Sequence, residues 1–422
     1  MAPPELHYSN EPYVVITADT HAGANLATYR EYLDPKYRED FDAWRGEYKN
    51  PSKEHIGRKK TKNWDSAERF ADLEQDGIVA EVVFPNTVPP FYPKAFHVCA
   101  PPTPEQYKRY RAGMQAHNRW LVDFCAEAPE RRAGIGLIHL NSIDEAIEDV
   151  RWIAEHGLRG GVLIPQPPDD MKHIRPLYDP EYDRLWAAIQ DLELPMNQHS
   201  GVGAPDYGPY PAAHPMWIQE VGFFSQRGLK SLIWGGVFQR FPKLRFTITE
   251  AGCHWVPELL AQMDRIHQGI QAGMMGEMDY KDVDALPEPP SFYAKRNCYY
   301  GTSFPGKAEI EGRYEVGTDK VMWGSDYPHY EGSFPYSRVA MRLAHEGLPE
   351  DEVRGLLGGN AAKFYGFDLE KLKPHAERAA VMPQDVAEPL DDIPEGVTSP
   401  SLRFALARKK ARQAAQKQRN AS

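Results

Sequence analysis

Cysteine is scarce in this chain of 422 residues: it occurs four times, and no two of the four lie close together in the sequence. That spacing excludes a zinc ribbon or a disulfide scaffold and is typical of free thiols in a reducing compartment. Long apolar runs are also missing, since none approaches the roughly 18 residues of a membrane-spanning helix. The first ten residues lack the basic and apolar stretches of an export signal. We therefore expect a soluble, cytoplasmic protein with no membrane contact.

Positive charge is in deficit as well, because the formal net charge at pH 7 is -11. Phosphate backbones are bound by clustered lysine and arginine, so this balance argues against a nucleic-acid partner. The exception is the tail from Arg403 to Arg419, which carries only basic charges and is rich in alanine and glutamine. It predicts a solvated or subunit-packing helix. Internal repeats and glycine-rich phosphate loops of the Walker or Rossmann type are absent too.

Short apolar, β-branched runs that end in polar or turn residues do recur, and helix-like amphipathic segments separate most of them. Strands that alternate with helices in this way indicate the α/β class and a closed (β/α)8 TIM barrel. The predicted strands are Val14–Ala18, Val79–Phe84, Ala133–Ile138, Gly161–Ile164, Leu194–Asn197, Arg245–Thr249, Cys298–Gly301 and Val321–Gly324. The clearest predicted helices run near Pro104–Glu127, Ile143–His156, Glu181–Leu192, Trp255–Met274 and Glu350–Tyr365.

Two segments exceed a minimal barrel. Tyr29–Asn63 follows the first strand and Ser200–Phe224 follows the fifth, and both are predicted to lie over the barrel mouth, the first as a lid. The proline-rich, acidic stretch Phe367–Pro400 predicts an extended arm before the basic helix. We therefore expect a barrel domain over residues 1–367 and a C-terminal extension over 368–422. Since the arm has too little apolar periodicity for its own core, it predicts a homodimer or higher homo-oligomer.

Polar residues at the predicted strand ends carry the chemistry. Asp19 and His21 follow the first strand, and their two-residue spacing puts both side chains on one face of an extended chain. His199 ends the fifth strand and Asp326 follows the eighth. The carboxyl ends of parallel barrel strands converge on one rim, so these four side chains are predicted to meet. Two imidazoles and two carboxylates suit one divalent ion, either zinc, manganese or iron, with positions left for water and substrate.

These motifs resemble the amidohydrolase-related superfamily, in particular enzymes similar to aminocarboxymuconate semialdehyde decarboxylase and the resorcylate decarboxylases. The resemblance spans about Val14 to Phe367. It rests on the Asp-x-His motif, the strand-end His199, the Glu-x-Gly-x-x-Trp-x-Pro motif of Glu250 to Pro257, and Gly-Ser-Asp-Tyr-Pro-His from Gly324 to His329. It implies a TIM barrel with one divalent metal at the positions of Asp19, His21, His199 and Asp326.

Two departures from the resemblance matter. Many relatives carry His-x-His at the first strand, whereas this chain has Asp19, which adds negative charge. Decarboxylases of the family usually place a catalytic histidine after the sixth strand, where this chain has Glu250. Glu250 is open to three interpretations: an additional ligand, an acid/base group, or a cap of the following helix. His254 lies about one helical turn further on and is a second candidate for proton relay.

Asp326 is the predicted base, and His329 is predicted to contact the substrate or orient Asp326, with an ordinary loop histidine as the alternative. The candidate catalytic residues are therefore Asp326, Glu250, His254 and His329. The candidate substrate-binding residues are Trp255, Trp217 and Tyr210, with helix packing as the alternative for Trp255. The remaining histidines that match no motif are interpreted as structural. They are His97, His139, His173 and His214.

Hydrolysis is the primary functional prediction: a metal ion lowers the pKa of a water to about 7, and Asp326 takes its proton. Non-oxidative decarboxylation of an aromatic or unsaturated carboxylic acid is the alternative that the resemblance implies and Glu250 weakens. Hydration of an activated double bond also stays open. A non-catalytic binding protein on a decayed barrel is disfavoured by the intact ligand set. Aromatic residues in the mouth segments predict a small, cyclic or aromatic substrate.

Overall fold

The computed structural model describes residues 8–49, 60–168, 171–273, 286–390 and 392–421. Eight parallel strands, β1 to β8, pair in the order in which they occur in the chain. An isolated bridge between Thr20 and Tyr327 joins β1 to the segment after β8, so the sheet nearly closes on itself. The strands are β1 Ile16–Ala22, β2 Ala80–Pro85, β3 Arg132–Leu137, β4 Gly161–Leu163, β5 Met196–His199, β6 Phe246–Thr249, β7 Cys298–Ser303 and β8 Val321–Gly324.

Helices lie between the strands and after the last one. The α-helices are α1 Leu26–Tyr32, α2 Arg38–Glu47, α3 Ser66–Gln75, α4 Tyr107–Ala126, α5 Ile143–Glu155, α6 Asp183–Asp191, α7 Ala213–Ser225, α8 Arg227–Trp234, α9 Val237–Arg240, α10 Val256–Gln271, α11 Pro290–Asn297, α12 Lys307–Glu311, α13 Arg313–Val316, α14 Ser337–His345, α15 Glu350–Arg354, α16 Asn360–Tyr365, α17 Leu369–Ala379, α18 Pro383–Ala387 and α19 Pro400–Ala421. Short 3-10 turns occur at Pro35–Tyr37, Lys60–Asn63, Phe96–Val98 and Pro180–Tyr182, and a π-helical turn at Gly355–Gly359. The predicted (β/α)8 TIM barrel is confirmed.

All eight predicted strands are present. The largest difference from the predicted bounds is at the C-terminal end of β1. It continues to Ala22, so Asp19 and His21 lie inside the strand rather than after it. The strand end is decided by hydrogen bonds to its neighbours: His21 pairs with Phe84 of β2, and its N–H donates to Tyr327 O at 2.7 Å. An irregularity in the β1–β2 register between Thr17 and Thr20 brackets Asp19. Such bulges often re-aim a side chain at a barrel rim.

One predicted helix, Glu350–Tyr365, is interrupted. A π-helical turn at Gly355–Gly359 separates α15 from α16. A Cβ at Gly358 would lie 1.9 Å from the carbonyl oxygen of Val14, so only glycine permits this close approach to the barrel floor. The predicted helix Trp255–Met274 is observed as α10, and Met274 itself lies outside the described residues.

The segment predicted as a lid contains α2, and its residues 50–59 lie outside the described residues. Leu33 and Phe41 of this segment pack with Phe91 and with Ala116 of α4. The segment is therefore held against α4 and does not extend freely over the barrel mouth. The other insertion forms a loop and α7, which exposes the large apolar side chains Met216, Ile218 and Phe223.

The stretch predicted as an extended arm is partly helical, which corrects the prediction. Asp368 caps α17 by accepting hydrogen bonds from the N–H groups of Glu370 and Lys371, and Leu372 of this helix is buried. The basic helix is α19, whose Leu402 packs with Leu343 of α14. Since the arm packs on its own barrel, it no longer requires a second subunit. The homo-oligomer stays a prediction, which light scattering would check.

Two smaller predictions concern the whole chain. All four cysteines are free, as predicted. None of the helices in the described parts of the chain is both long and apolar enough to cross a bilayer.

Candidate metal centre

The four predicted ligands do converge at the carboxyl-terminal rim of the barrel. Asp19 Oδ1 lies 3.4 Å from His21 Nε2 and 3.5 Å from His199 Nε2. His21 Nε2 is also 3.3 Å from Asp326 Oδ1. All four residues are buried. The strand-end pattern therefore identified a real three-dimensional cluster.

The backbone around this cluster is shaped to bring the side chains in. Asp326 and Glu250 both have left-handed backbone angles, with φ of 56° and 61°. Such conformations cost non-glycine residues about 1–3 kcal/mol and persist where the surrounding structure enforces them. Here the N–H of Asp326 donates to Asp19 O, and that of Glu250 to Gly301 O, each at 2.9 Å. Both strands therefore turn at the rim with their carboxylates held toward the cluster.

The two imidazoles are oriented by carbonyl groups behind them. His21 Nδ1 lies 3.1 Å from Pro85 O, and His199 Nδ1 lies 3.0 Å from Ser200 O. A carbonyl oxygen only accepts, so each Nδ1 carries the proton in the neutral ring. Each Nε2 is then left with its lone pair facing the cluster, as in metal-ligating histidines whose other nitrogen is held by a second group.

The arrangement of donor atoms fits a divalent ion. Among the described residues, four buried atoms of the cluster have no hydrogen-bond partner, namely Asp19 Oδ1, His21 Nε2, His199 Nε2 and Asp326 Oδ2, while Asp326 Oδ1 faces the imidazoles of His21 and His329. Buried polar atoms are normally satisfied, so such a group needs an explanation. Ligands about 2.1 Å from one ion lie about 3.0–3.4 Å from each other, close to the separations found here. The second oxygen of Asp19 accepts a hydrogen bond from Ser303 Oγ.

The electrostatics also call for a cation. Burial alone would lower the pKa of His21, but contacts with Asp19 and Asp326 outweigh it and raise that pKa to about 9. Burial alone would raise the pKa of Asp19, yet His199 and His21 lower it below its usual range. The fold thus concentrates enough negative charge to hold a proton on His21. A divalent ion would replace that proton, because metal binding requires the neutral imidazole.

Glu250 joins this cluster. Its Oε2 lies 3.1 Å from His199 Nε2, and 26% of its side chain is exposed. Burial, Asp326 and Asp19 together raise its pKa well above the usual range. The capping interpretation is wrong, because α10 begins at Val256 and its N-cap residue, Trp255, makes no side-chain capping bond. A ligand role and an acid/base role both stay open.

His329 is connected to Asp326 on one side and to Asn86 on the other. Its Nδ1 lies 2.7 Å from Asp326 Oδ1, and its Nε2 lies 3.0 Å from Asn86 Oδ1. The Asn86 amide nitrogen donates to Asn63 Oδ1 at 2.5 Å, which explains why its oxygen faces His329. Nε2 of His329 is then a donor, so Nδ1 is the atom that exchanges a proton with Asp326. His329 therefore lies at the site, where the sequence predicted it either to contact the substrate or to orient Asp326.

The other candidates lie further out. His254 is exposed, and among the described residues no contact joins it to the cluster. Trp255 packs edge-on against Tyr300 and donates its indole N–H to Ala251 O at 2.9 Å, which is a packing role. Trp217 is half-buried near His214, and Tyr210 is 71% exposed. Neither contacts the cluster in the part of the chain that the structure describes, so their substrate contacts stay predictions.

Sequence analysis missed three residues of this site. His97 was interpreted as structural, but its ring centroid lies 5.5 Å from that of His21 and 5.2 Å from that of His199. Burial, with the nearby His199 and His21, lowers the pKa of His97 well below its usual range. Asn86 directly follows β2 and Ser303 ends β7, so the strand-end rule would have found both. No sequence signal marks His97, which lies in a proline-rich loop.

Comparisons with known proteins found similar sequences and similar folds. The model of a protein family described as amidohydrolase matches residues 73–367. A 2-amino-3-carboxymuconate-6-semialdehyde decarboxylase from Dictyostelium discoideum is 24% identical over 317 residues, which cover 73% of this chain and 78% of the relative.

Two solved structures have the same fold. An amidohydrolase from Mycobacterium avium subsp. paratuberculosis matches with a TM-score of 0.63 and 20% identity, covering 85% of this chain and 100% of the other. A 5-carboxyvanillate decarboxylase from Novosphingobium aromaticivorans, which contains manganese and 3-methoxy-4-hydroxy-5-nitrobenzoic acid, matches with a TM-score of 0.62 and 19% identity. That match covers 86% of this chain and 100% of the other.

Proposed function

The chain belongs to the amidohydrolase family, and on that premise we propose that it is a metal-dependent hydrolase of a small, cyclic or aromatic organic substrate. Asp19, His21, His199 and Asp326 would hold one divalent ion, with Glu250 beside them. A zinc, manganese or iron ion bound there would lower the pKa of a water and polarise the substrate. The manganese found in the 5-carboxyvanillate decarboxylase supports a divalent ion and leaves its identity open.

The observation that carries this proposal is the contact between Asp326 and His329. Asp326 Oδ1 lies at the cluster and 2.7 Å from His329 Nδ1, so the carboxylate can accept a proton from water and pass it to the imidazole. Nε2 of His329 donates a hydrogen bond to Asn86 Oδ1, and this bond keeps Nδ1 directed at Asp326. A base with an oriented relay behind it is what water attack requires.

Decarboxylation is the second candidate, and the names of the relatives favour it. The Dictyostelium discoideum and Novosphingobium aromaticivorans proteins are both decarboxylases. In this chain Glu250 is the group placed to supply a proton to the carbon that loses carbon dioxide, since its carboxyl lies at the rim beside His199. The same residues thus serve either reaction, and the products separate the two.

Product masses test the proposal. Purified protein of known metal content is incubated in ¹⁸O-labelled water with lactones, amides and hydroxybenzoates. Hydrolysis adds one labelled water to the substrate, whereas decarboxylation removes carbon dioxide without incorporating the label. Loss of carbon dioxide alone would overturn the hydrolase proposal and establish the second candidate.

The variant Asp326→Asn tests the base. It should keep the folded barrel and lower turnover by about 10²–10⁴, the usual contribution of an acid/base group, because an amide cannot accept the water proton. Steady-state kinetics, corrected for bound metal by elemental analysis, measure the effect. An unchanged rate at equal metal content would remove Asp326 from this role.

A further inference from the structure

A small cavity lies beside the metal centre, among the loops that follow β2, β3, β4 and β5. Its volume is about 30 Å³. A water molecule needs about 10–15 Å³ measured in this way, so the cavity has room for a substituent of two or three atoms rather than for a whole ring. The lining residues on which its chemistry depends are Tyr92, His97, His139, Gln166 and Gly203.

His97 connects this cavity to the metal centre. Its ring contributes to the cavity wall and also lies against the rings of His21 and His199. The side-chain oxygen of Gln166 and Nδ1 of His97 are buried and have no hydrogen-bond partner among the described residues. Two unsatisfied polar atoms that line one cavity next to a reaction centre indicate a place for a ligand group.

The position of Gln166 is built into the fold. The residue is 6% exposed, and its amide nitrogen faces Pro167 O at 3.4 Å. A Cβ at Gly203, whose φ is +70°, would lie 2.5 Å from Gln166 Cγ, so glycine is required for the loop after β5 to pass this close. The oxygen of Gln166 is thus held at the cavity while its amide nitrogen is engaged elsewhere.

The wall of the cavity defines the chemistry of its occupant. Among the described residues, no lysine, arginine, aspartate or glutamate lines it, so none of them would offset the charge of an ionic group. The other imidazole in the wall, His139, is already bonded to the Tyr92 hydroxyl at 2.6 Å. Gln166 Oε1 can only accept, so the occupant must donate, and a hydroxyl both donates to Gln166 and bonds His97.

We propose that this cavity is a substrate subsite for a small, uncharged, hydroxyl-bearing substituent of a molecule whose reacting group lies at the metal centre. His97 and Gln166 are its specificity-determining residues. The inference rests on the proposed function in one respect, namely that the substrate bound at the metal centre also extends into the cavity. A site that hydrogen-bonds a substrate hydroxyl discriminates strongly against the analogue that lacks it, because its buried polar groups are then left unpaired.

Calorimetric titration of the manganese-loaded protein tests the subsite. The probes are benzoate and its 2-, 3- and 4-hydroxy isomers, compared in the wild type, Gln166→Met and His97→Leu. In the wild type at least one isomer should bind ten or more times more tightly than benzoate. In both variants the ratio of the two affinities should fall to within about two-fold of one.

The exposed His156 provides a matched control, since His156→Leu should keep the wild-type ratio. A preference that survives both substitutions, or no preference for any isomer, would overturn the subsite. Binding is measured without turnover, so this result is separate from the reaction type, and elemental analysis reports separately whether metal is bound.

Discussion

At the scale of single residues, charge distinguishes this site. Three carboxylates, those of Asp19, Glu250 and Asp326, surround the imidazoles of His21 and His199. Carboxylates at such short distances repel each other unless a proton or a cation lies between them. A divalent ion bound here would stabilise the fold as well as take part in the chemistry, because it would neutralise charge that the fold has already brought together.

We predict that His21→Ala and His199→Ala each reduce bound metal from about one ion per chain to nearly none. Each variant removes one of two nitrogen ligands whose orientation is held by a carbonyl behind it. Elemental analysis of dialysed protein measures the loss, and His156→Ala on the surface is the control. Full activity in a chelator-treated, metal-free protein would contradict the metal centre itself.

Glu250→Gln should lower turnover by about 10² or more. Its carboxyl lies 3.1 Å from His199 Nε2, and burial together with the charges of Asp326 and Asp19 raises its pKa well above the usual range. The amide relieves that repulsion, so the melting temperature of the metal-free protein should not fall. Steady-state kinetics and a melting curve on one preparation report both values.

The matched control for Glu250 is Glu258→Gln, an exposed residue in the first turn of α10, which should change neither rate nor stability. A drop in melting temperature with an unchanged rate would show that Glu250 is structural after all.

At the scale of elements, β1 and β2 are joined by a buried ionic network. Glu81 of β2 pairs with Arg69 of α3 at 2.6 Å and with Arg132 of β3 at 3.1 Å, and none of the three side chains is exposed. Arg69 also donates to the carbonyl oxygen of His21 at 2.8 Å, and Glu81 accepts from Thr20 at 2.9 Å. The network therefore helps to hold the strand that carries two of the ligands.

Glu81→Gln should destabilise the protein at pH 7 by about 3–5 kcal/mol, because two arginines lose their buried counter-charge. Burial would raise the pKa of Glu81, but Arg69 and Arg132 outweigh it and lower the pKa to about 2 from an ordinary 4.5. A lowered pKa stabilises the fold above about pH 4.5, and this contribution is lost as the pH falls toward 2. Denaturant unfolding is measured from pH 7 to pH 3. The difference in the free energy of unfolding between wild type and Glu81→Gln should become smaller below about pH 4.5.

The exposed pair of Asp42 and Arg30 offers a control for that network. Asp42→Asn should leave the free energy of unfolding nearly unchanged, since exposed ion pairs are screened by water. If the difference in the free energy of unfolding between wild type and Glu81→Gln stays constant down to pH 3, Glu81 does not titrate as described.

At the scale of the whole molecule, the C-terminal arm is attached to the barrel by a buried lysine. Lys409 of α19 donates to Glu346 Oε2 at 2.7 Å and to Leu390 O at 2.8 Å. The same carboxylate group accepts from Lys307 of α12 at 2.8 Å, close after β7. The arm is thus connected to the segment that follows β7, the strand whose last residue, Ser303, donates a hydrogen bond to Asp19.

Lys409→Met should loosen the arm and leave the barrel folded. The variant removes one of the two lysines on Glu346, and the expected loss is about 3 kcal/mol. Limited proteolysis should cut the variant before α19 at protease levels that spare the wild type. Lys410→Met is the control, because Lys410 is 54% exposed and its pair with Asp392 is worth at most about 1 kcal/mol. Equal cleavage of both variants would exclude the attachment.

The barrel and the meeting of its four candidate ligands could be predicted from the sequence because both depend on local rules. Strand residues repeat every two positions, and parallel strands in a barrel end on one rim, so Asp19, His21, His199 and Asp326 had to meet once eight strands were recognised. Only the tertiary structure placed His97, directed Glu250 to His199 rather than to the start of α10, and packed the arm on α14. The path of a loop or an arm depends on contacts between distant segments, and no local periodicity encodes those contacts.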